Sequence, residues 1–148
     1  MKTLRWAALA ALTLASPAAM AGDLGPPSVS VYGAIGIGPR NIAIQQNSTA
    51  NFAGVLQVGP GATTSIQQTG QHNAAVVGQV GDGSSATVLQ NGGRNRALVR
   101  QLGQFGQALL GQIGQDNGAR VVQFGPNNLA GIGQSGPWNR AMLRQHPW

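Results

Sequence analysis

Glutamine side chains recur along this chain at a fixed spacing of 11 residues. Each carboxamide carries two N–H donors and one carbonyl acceptor, so identical copies stacked in a column can donate to one neighbour and accept from the other. The chemistry predicted is therefore hydrogen bonding between like side chains, and so short a period indicates a repeat architecture. Ten consecutive positions keep the spacing: Gln46, Gln57, Gln68, Gln79, Gln90, Gln101, Gln112, Gln123, Gln134 and Gln145.

The positions around each glutamine keep the same period. In the unit containing Gln57 they are Ala53, Val55 and Gly59, and the same kinds of residue return every 11 residues. These positions share parity, which predicts an extended strand of about seven residues that turns them all to one face. Four-residue links such as Gly81-Asp82-Gly83-Ser84 follow, and they are rich in the residues that turns favour.

A second column shows that the structural repeat is 22 residues long. Asparagine stands five residues after every second glutamine, at Asn51, Asn73, Asn95, Asn117 and Asn139. Two strands per repeat predict an all-β solenoid of five strand-turn-strand rungs in two parallel sheets, with rungs at about 42–59, 64–81, 86–103, 108–125 and 130–147. Between the sheets a buried amide is costly unless paired, and an identical amide roughly 4.8 Å along the stack satisfies it.

The first residues have the pattern of a secretory signal. Lys2 and Arg5 precede a short apolar run, and Ala19-Met20-Ala21 is a small-residue cleavage site, so we predict a signal peptide over 1–21 with cleavage before Gly22. Residues 22–41 form a Gly/Pro-rich leader for export targeting or a linker, in which a short strand at 28–32 is compatible with the sequence. The repeat domain is predicted at 42–148. The exported chain has no cysteine, which excludes disulfides.

Catalytic and metal-binding chemistry lack the necessary residues. The chain has two histidines, His72 and His146, about three rungs apart, and its three acidic residues are Asp23, Asp82 and Asp116. We therefore predict no enzyme, no metal site, no cofactor and no small-molecule substrate. Calcium-binding repeats would need periodic aspartates, and these three are not periodic.

The strings 73–81 (NAAVVGQVG) and 95–103 (NRALVRQLG) resemble the curlin repeat, Ser-x5-Gln-x-Gly-x2-Asn-x-Ala-x3-Gln. The resemblance covers about 42–147, although its serine position here holds Arg40, Ala62, Ser84, Gly106 and Asn128. It implies a subunit of curli, the extracellular amyloid fibre of bacterial surfaces, which acts in cell adhesion and the biofilm matrix. It also implies self-assembly with other curlin subunits and secretion through a dedicated export pore with accessory factors.

The predicted outer faces differ in charge. After position 21 the chain keeps seven Arg and three Asp, a net charge of +4. Five arginines lie on the outer face of the second strands, in the last three rungs: Arg96, Arg100, Arg120, Arg140 and Arg144. They either keep fibres soluble and separate or contact an anionic cell surface, a polysaccharide or extracellular DNA. The basic bias resembles the minor, nucleating curlin subunit, which anchors and templates the fibre, and we favour that role over the major subunit.

The residue pattern of the last rung favours assembly with another copy of the chain. Residues 141–145 keep the full pattern, whereas soluble solenoids cap their terminal repeats. An open end would offer backbone groups and glutamine amides to another copy. The alternative is a soluble secreted β-solenoid that binds a glycan or ice, but the threonine array that ice binding requires is lost at Leu109, Gly111 and Ile113. A chain that stays disordered until a partner templates it is a third possibility, and it differs from the fibre subunit only in timing.

Overall fold

The computed structural model of the chain describes residues 18–24, 29–35, 40–47 and 50–146. In these residues the backbone forms twelve β-strands and no α-helix, and it thus contains no helix that is long and apolar enough to cross a membrane. The strands form two parallel six-stranded sheets, one from the odd-numbered strands and one from the even-numbered strands. The predicted all-β solenoid is confirmed.

The two sheets alternate along the chain, so each strand of one sheet serves as the crossover that parallel pairing in the other requires. Sheet A contains, in spatial order, β1 (Ala18–Leu24), β3 (Asn41–Asn47), β5 (Thr63–Gln71), β7 (Ser85–Gly93), β9 (Gln107–Gln115) and β11 (Leu129–Ser135). Sheet B contains β2 (Val29–Ile35), β4 (Phe52–Val58), β6 (Ala74–Val80), β8 (Arg96–Leu102), β10 (Gly118–Phe124) and β12 (Arg140–Gln145).

From β3 onward the register between neighbouring strands equals the sequence repeat. Gln68 pairs with Gln90 in sheet A, and Gln79 pairs with Gln101 in sheet B. The strand pairs from β3–β4 to β11–β12 are the five predicted rungs. The register is fixed because a slip of one residue would turn every inward side chain to the outside.

The segment before the repeats contributes two further strands. β1 pairs with β3 and β2 pairs with β4, in the same parallel sense. β2 overlaps the strand that the sequence left open at 28–32, and β1 spans the predicted cleavage point before Gly22. The register sets Asp23 opposite Gln46 and Ala34 opposite Gln57, so neither glutamine column continues into this pair. Residues 1–17 of the predicted signal peptide lie outside the described residues, and the boundaries at 21 and 41 stay predictions.

The core is a narrow apolar layer between the sheets. Each inner face supplies a column of alanines and a column of larger aliphatic side chains, such as Ile66, Val88 and Leu110 in sheet A. In the last rung Ile132 and Leu143 are only partly buried. The apolar layer therefore continues to the C-terminal end of the stack.

From Gly59 to Gly136 the corners of the solenoid carry glycine at one position in each turn. Gly81 has φ +125°, and a Cβ added there would collide with the carbonyl oxygen of Gly103 in the next rung. Such a position combines a left-handed backbone with a close approach of two chains, which glycine alone permits. The same geometry recurs one rung earlier and one rung later, at Gly59 and Gly103, and at the other corner at Gly70, Gly92 and Gly114.

A second turn position adopts positive φ without glycine. One corner has Ala50, His72, Arg94, Asp116 and Trp138 there, with φ between 55° and 63°, and the other corner has Phe105 and Asn127. Backbone bonds between stacked turns hold this conformation, for example from Arg94 N to Gln71 O at 2.9 Å. The stacking geometry, rather than the local residue, therefore imposes the left-handed conformation.

Replacing a corner glycine should destabilise the fold. We expect Gly81→Ala to lower the free energy of unfolding by about 1–2 kcal/mol from backbone strain alone, and by more because the Cβ displaces the Gly103 carbonyl. Gly78→Ala is the matched control, since its Cβ would meet nothing within 4 Å and its φ is not left-handed. Denaturant unfolding followed by circular dichroism measures both, and equal midpoints would contradict the prediction.

Candidate functional site

The ten glutamines form two columns of hydrogen-bonded amides, which are buried except at Gln145. Strand alternation turns each side chain inward, and the 22-residue register places identical side chains above one another. In sheet A the Nε2···Oε1 distances are 2.7–2.8 Å along Gln46, Gln68, Gln90, Gln112 and Gln134. In sheet B they are 2.8–2.9 Å along Gln57, Gln79, Gln101, Gln123 and Gln145.

Each amide also binds across the gap between the sheets. The second Nε2 hydrogen of Gln68 is donated to the carbonyl of Phe52, the first residue of the preceding strand, at 3.0 Å. Gln101 donates in the same way to the carbonyl of Ser85, and every glutamine from Gln68 to Gln145 repeats this bond. The columns thus join neighbouring rungs and opposite sheets at once, and they leave few buried donors unsatisfied.

The amide columns have a direction, because in every bond the glutamine earlier in the chain donates and the later one accepts. At the start of the sheet B column the Oε1 atom of Gln57 is buried and has no hydrogen-bond partner. At the other end, Gln134 and Gln145 each donate to a backbone carbonyl and have no later glutamine among the described residues. The sheet B column therefore begins with an acceptor at Gln57, on a strand that pairs with β2, and both columns end with donors.

Thr64 contributes a hydroxyl to the sheet B column. It accepts a hydrogen bond from Gln57 Nε2 at 2.9 Å and donates one to Gln79 Oε1 at 2.7 Å. In the sequence pattern Thr64 occupies a position that is equivalent to the alanines. Sequence reasoning therefore missed its hydrogen bonds. The available signal was a single threonine among the alanines that stand seven residues after each glutamine from Ala53 to Ala141.

The asparagine column is bonded differently from the glutamine columns. The Oδ1 atom of Asn51 accepts the backbone N–H of Asn73 at 3.0 Å, and the same bond recurs up to Asn139. The Nδ2 group returns to the carbonyl four residues earlier, as from Asn73 to Thr69 at 3.1 Å. The structure thus brings the predicted asparagines together at one corner, where they bond to backbone groups rather than to each other's amides. They are Asn51, Asn73, Asn95, Asn117 and Asn139.

The five arginines predicted on the outer face of sheet B are all exposed there. Arg96 and Arg140 stand in one column and Arg100 and Arg144 in another, and Arg120 lies on the strand between them. Arginines of one column are two strand spacings apart, about 10 Å, which exceeds the Debye length of about 8 Å in physiological salt and limits their repulsion.

No carboxylate neutralises these arginines within the described residues. The ion pair found there joins Arg94 to Asp116 at 3.2 Å, at a corner of the solenoid. Val122 points outward between Arg100 and Arg144 and yet is only 5% exposed, as expected where long arginine stems cover an apolar neighbour. The face is therefore basic at its surface and apolar underneath.

The histidines lie apart from each other and from the acids. His146 stacks on Phe124 with ring centroids 5.1 Å apart, and His72 lies in a turn. The part of the chain that the structure describes contains no cluster of three metal-ligating side chains.

These features define a parallel β-solenoid with buried amide columns and two dissimilar outer faces. A family model described as the curlin associated repeat matches residues 59–92 and 114–146. Both matches lie within the five rungs, and they support the curlin family and a curli fibre subunit in general. No curated protein and no solved structure gave a significant match.

The internal amides should matter more for stability than the first amide of the column. Gln101→Met leaves the buried Oε1 atom of Gln123 without its donor, which we expect to cost about 1–3 kcal/mol of unfolding free energy. Gln57→Met is the matched control and should cost less, because Gln79 Oε1 keeps its bond from Thr64.

Denaturant titration of both variants at a concentration below assembly provides the comparison. If Gln57→Met lowered the free energy of unfolding as much as Gln101→Met or more, the position in the amide column would not determine the loss of stability.

Proposed function

We propose that this chain belongs to the curlin family and is a structural subunit of an extracellular curli-type amyloid fibre, with no enzymatic role. The observation that carries the proposal is that the last described rung keeps the inward pattern of the others, with Ala141, Leu143 and Gln145 in register with the rung before it. The two curlin repeat matches support it.

The last rung has what a further rung would need. Among the described residues β11 and β12 are the edge strands of the two sheets, so their outer backbone groups have no strand partner there. Gln145 and Leu143 are only half-buried there, although the corresponding residues one rung earlier, Gln123 and Val121, are fully buried. Another copy stacked on this end would bury the apolar column and pair the edge strands, which is how cross-β assemblies gain stability.

The arginines of sheet B support a role as the minor, nucleating subunit. In this role the basic face contacts an anionic cell surface, a polysaccharide or extracellular DNA, and so anchors the fibre that the open end templates. The role of major fibre subunit is the alternative. Secretion follows from the signal peptide predicted at 1–21, with passage through the curli export pore and its accessory factors to the cell surface.

Assembly of the chain from Gly22 to the C-terminus tests the proposal. After dilution from denaturant we expect thioflavin T fluorescence to rise with little or no lag as fibres form. A flat trace from a soluble, β-rich monomer would reject the fibre subunit.

The glycine at the last corner tests whether growth uses this end. A Cβ at Gly136 would meet only Asn139 Nδ2, at 3.8 Å, whereas the equivalent glycine one rung earlier, Gly114, abuts the Gly136 carbonyl. We therefore expect Gly136→Ala to cost the isolated fold only backbone strain, without a clash, and to abolish or greatly slow fibre growth. Gly61→Ala is the control for strain, because it also has positive φ but its Cβ makes only ordinary contacts of 3.5 Å. Unimpaired growth of Gly136→Ala would rule out stacking on this end.

The basic face is tested by removing its charge. We expect replacement of Arg96, Arg100, Arg140 and Arg144 by glutamine to reduce attachment of fibres to the bacterial surface and to remove its salt dependence, since the attraction is electrostatic. Arg94→Gln, at a corner outside the face, is the control and should attach normally. Retention of labelled fibres on cells is the measurement, and unchanged attachment of the fourfold variant would assign the arginines to solubility alone.

A further inference from the structure

The outer face of sheet A has a composition opposite to that of sheet B. The strands β3, β5, β7, β9 and β11 contain no charged residue. We call the outward side of these five strands face A. It exposes large apolar side chains, with Leu109 54% and Ile113 60% exposed. Face A is therefore an uncharged and partly apolar surface on an exposed sheet.

Face A has projections and hollows at the scale of single side chains. The register places Leu89, Gly111 and Gly133 in one column, with Ile113 in the column beside it. A Cβ added at Gly111 or Gly133 would meet nothing within 4 Å, so the glycines form the floor of a shallow groove between the apolar side chains. Leucine and isoleucine side chains of a facing sheet can enter such hollows.

We propose that face A packs against face A of a second copy of the chain, as a dry sheet-on-sheet contact. Two identical uncharged faces meet without desolvating a charge and without like-charge repulsion. Interdigitation of side chains from paired sheets is the arrangement that stabilises steric zippers. The outer face of sheet B does not allow it, because five arginines would oppose five arginines.

The size of the face determines when this contact forms. Seven residues per strand and five strands give about 23 Å by 24 Å, or about 550 Å² for one copy. A stable interface takes about 800 Å² from each partner, so one pair of subunits falls short. Two copies stacked end to end exceed that area. Lateral pairing thus rests on the end-to-end assembly proposed above and takes place after it. In the paired filament both arginine faces stay outside.

Two glycine substitutions separate pairing from stacking. Gly111→Glu places a carboxylate in the centre of face A, and Gly78→Glu places one at an equally open position on the outer face of sheet B. Both change the net charge equally. We expect thioflavin T growth in wild type and in both variants. Electron cryomicroscopy should show paired filaments for wild type and Gly78→Glu and single filaments for Gly111→Glu.

The outcomes distinguish the two proposals. Fluorescence growth with single wild-type filaments, or paired Gly111→Glu filaments, would overturn lateral pairing and leave the fibre function intact. Absence of any wild-type filament would overturn both. If Gly111→Glu itself fails to assemble, Leu109→Thr decides the matter, because it places on face A the residue type that Thr87 already has in the same column. That variant should form filaments that do not pair, and paired Leu109→Thr filaments would refute the lateral contact.

Discussion

Each buried carboxamide needs hydrogen-bond partners, and this requirement governs the structure. A glutamine in an apolar gap has two donors and an acceptor to satisfy, and the protein meets that demand with the same residue in the next rung and a carbonyl across the gap. This solution works only if the strands are parallel, in register and 22 residues apart. The amides therefore specify the fold, whereas the alanines and aliphatic residues around them supply apolar burial that other registers would also provide.

Much of the architecture could be predicted because one period encodes both the strand and the turn. The spacing from Gln57 to Gln68 contains a seven-residue strand and a four-residue link, and constant spacing implies constant register. The strands β1 and β2 escaped firm prediction because Asp23 and Ala34 stand where the columns would need glutamine. Their pairing depends on backbone groups, which leave no trace in the residue pattern.

The details of the candidate site were less accessible to sequence reasoning. Asparagine and glutamine look equivalent as periodic amides, but Asn73 lies at a corner, where its shorter side chain reaches backbone groups instead of its counterpart one rung away. Similarly, Trp138 gives no indication of left-handed backbone, and the stacked turns impose it. In both cases contacts one rung away decide the outcome. Side chains on the outer faces need no such contacts with the neighbouring rung. The two sheets can therefore share one core and still differ in charge.

The direction of the amide columns has a consequence for broken fibres. In every amide bond the earlier rung donates to the later rung. A filament built of these stacks is therefore polar, and its two tips differ. A fracture between two copies creates one tip that ends in β11 and β12 and one that ends in the first strands of a chain. Like tips do not match each other, whereas unlike tips do. Each fragment inherits one tip of each kind, so mechanical breakage multiplies the places where the material can elongate and preserves its polarity.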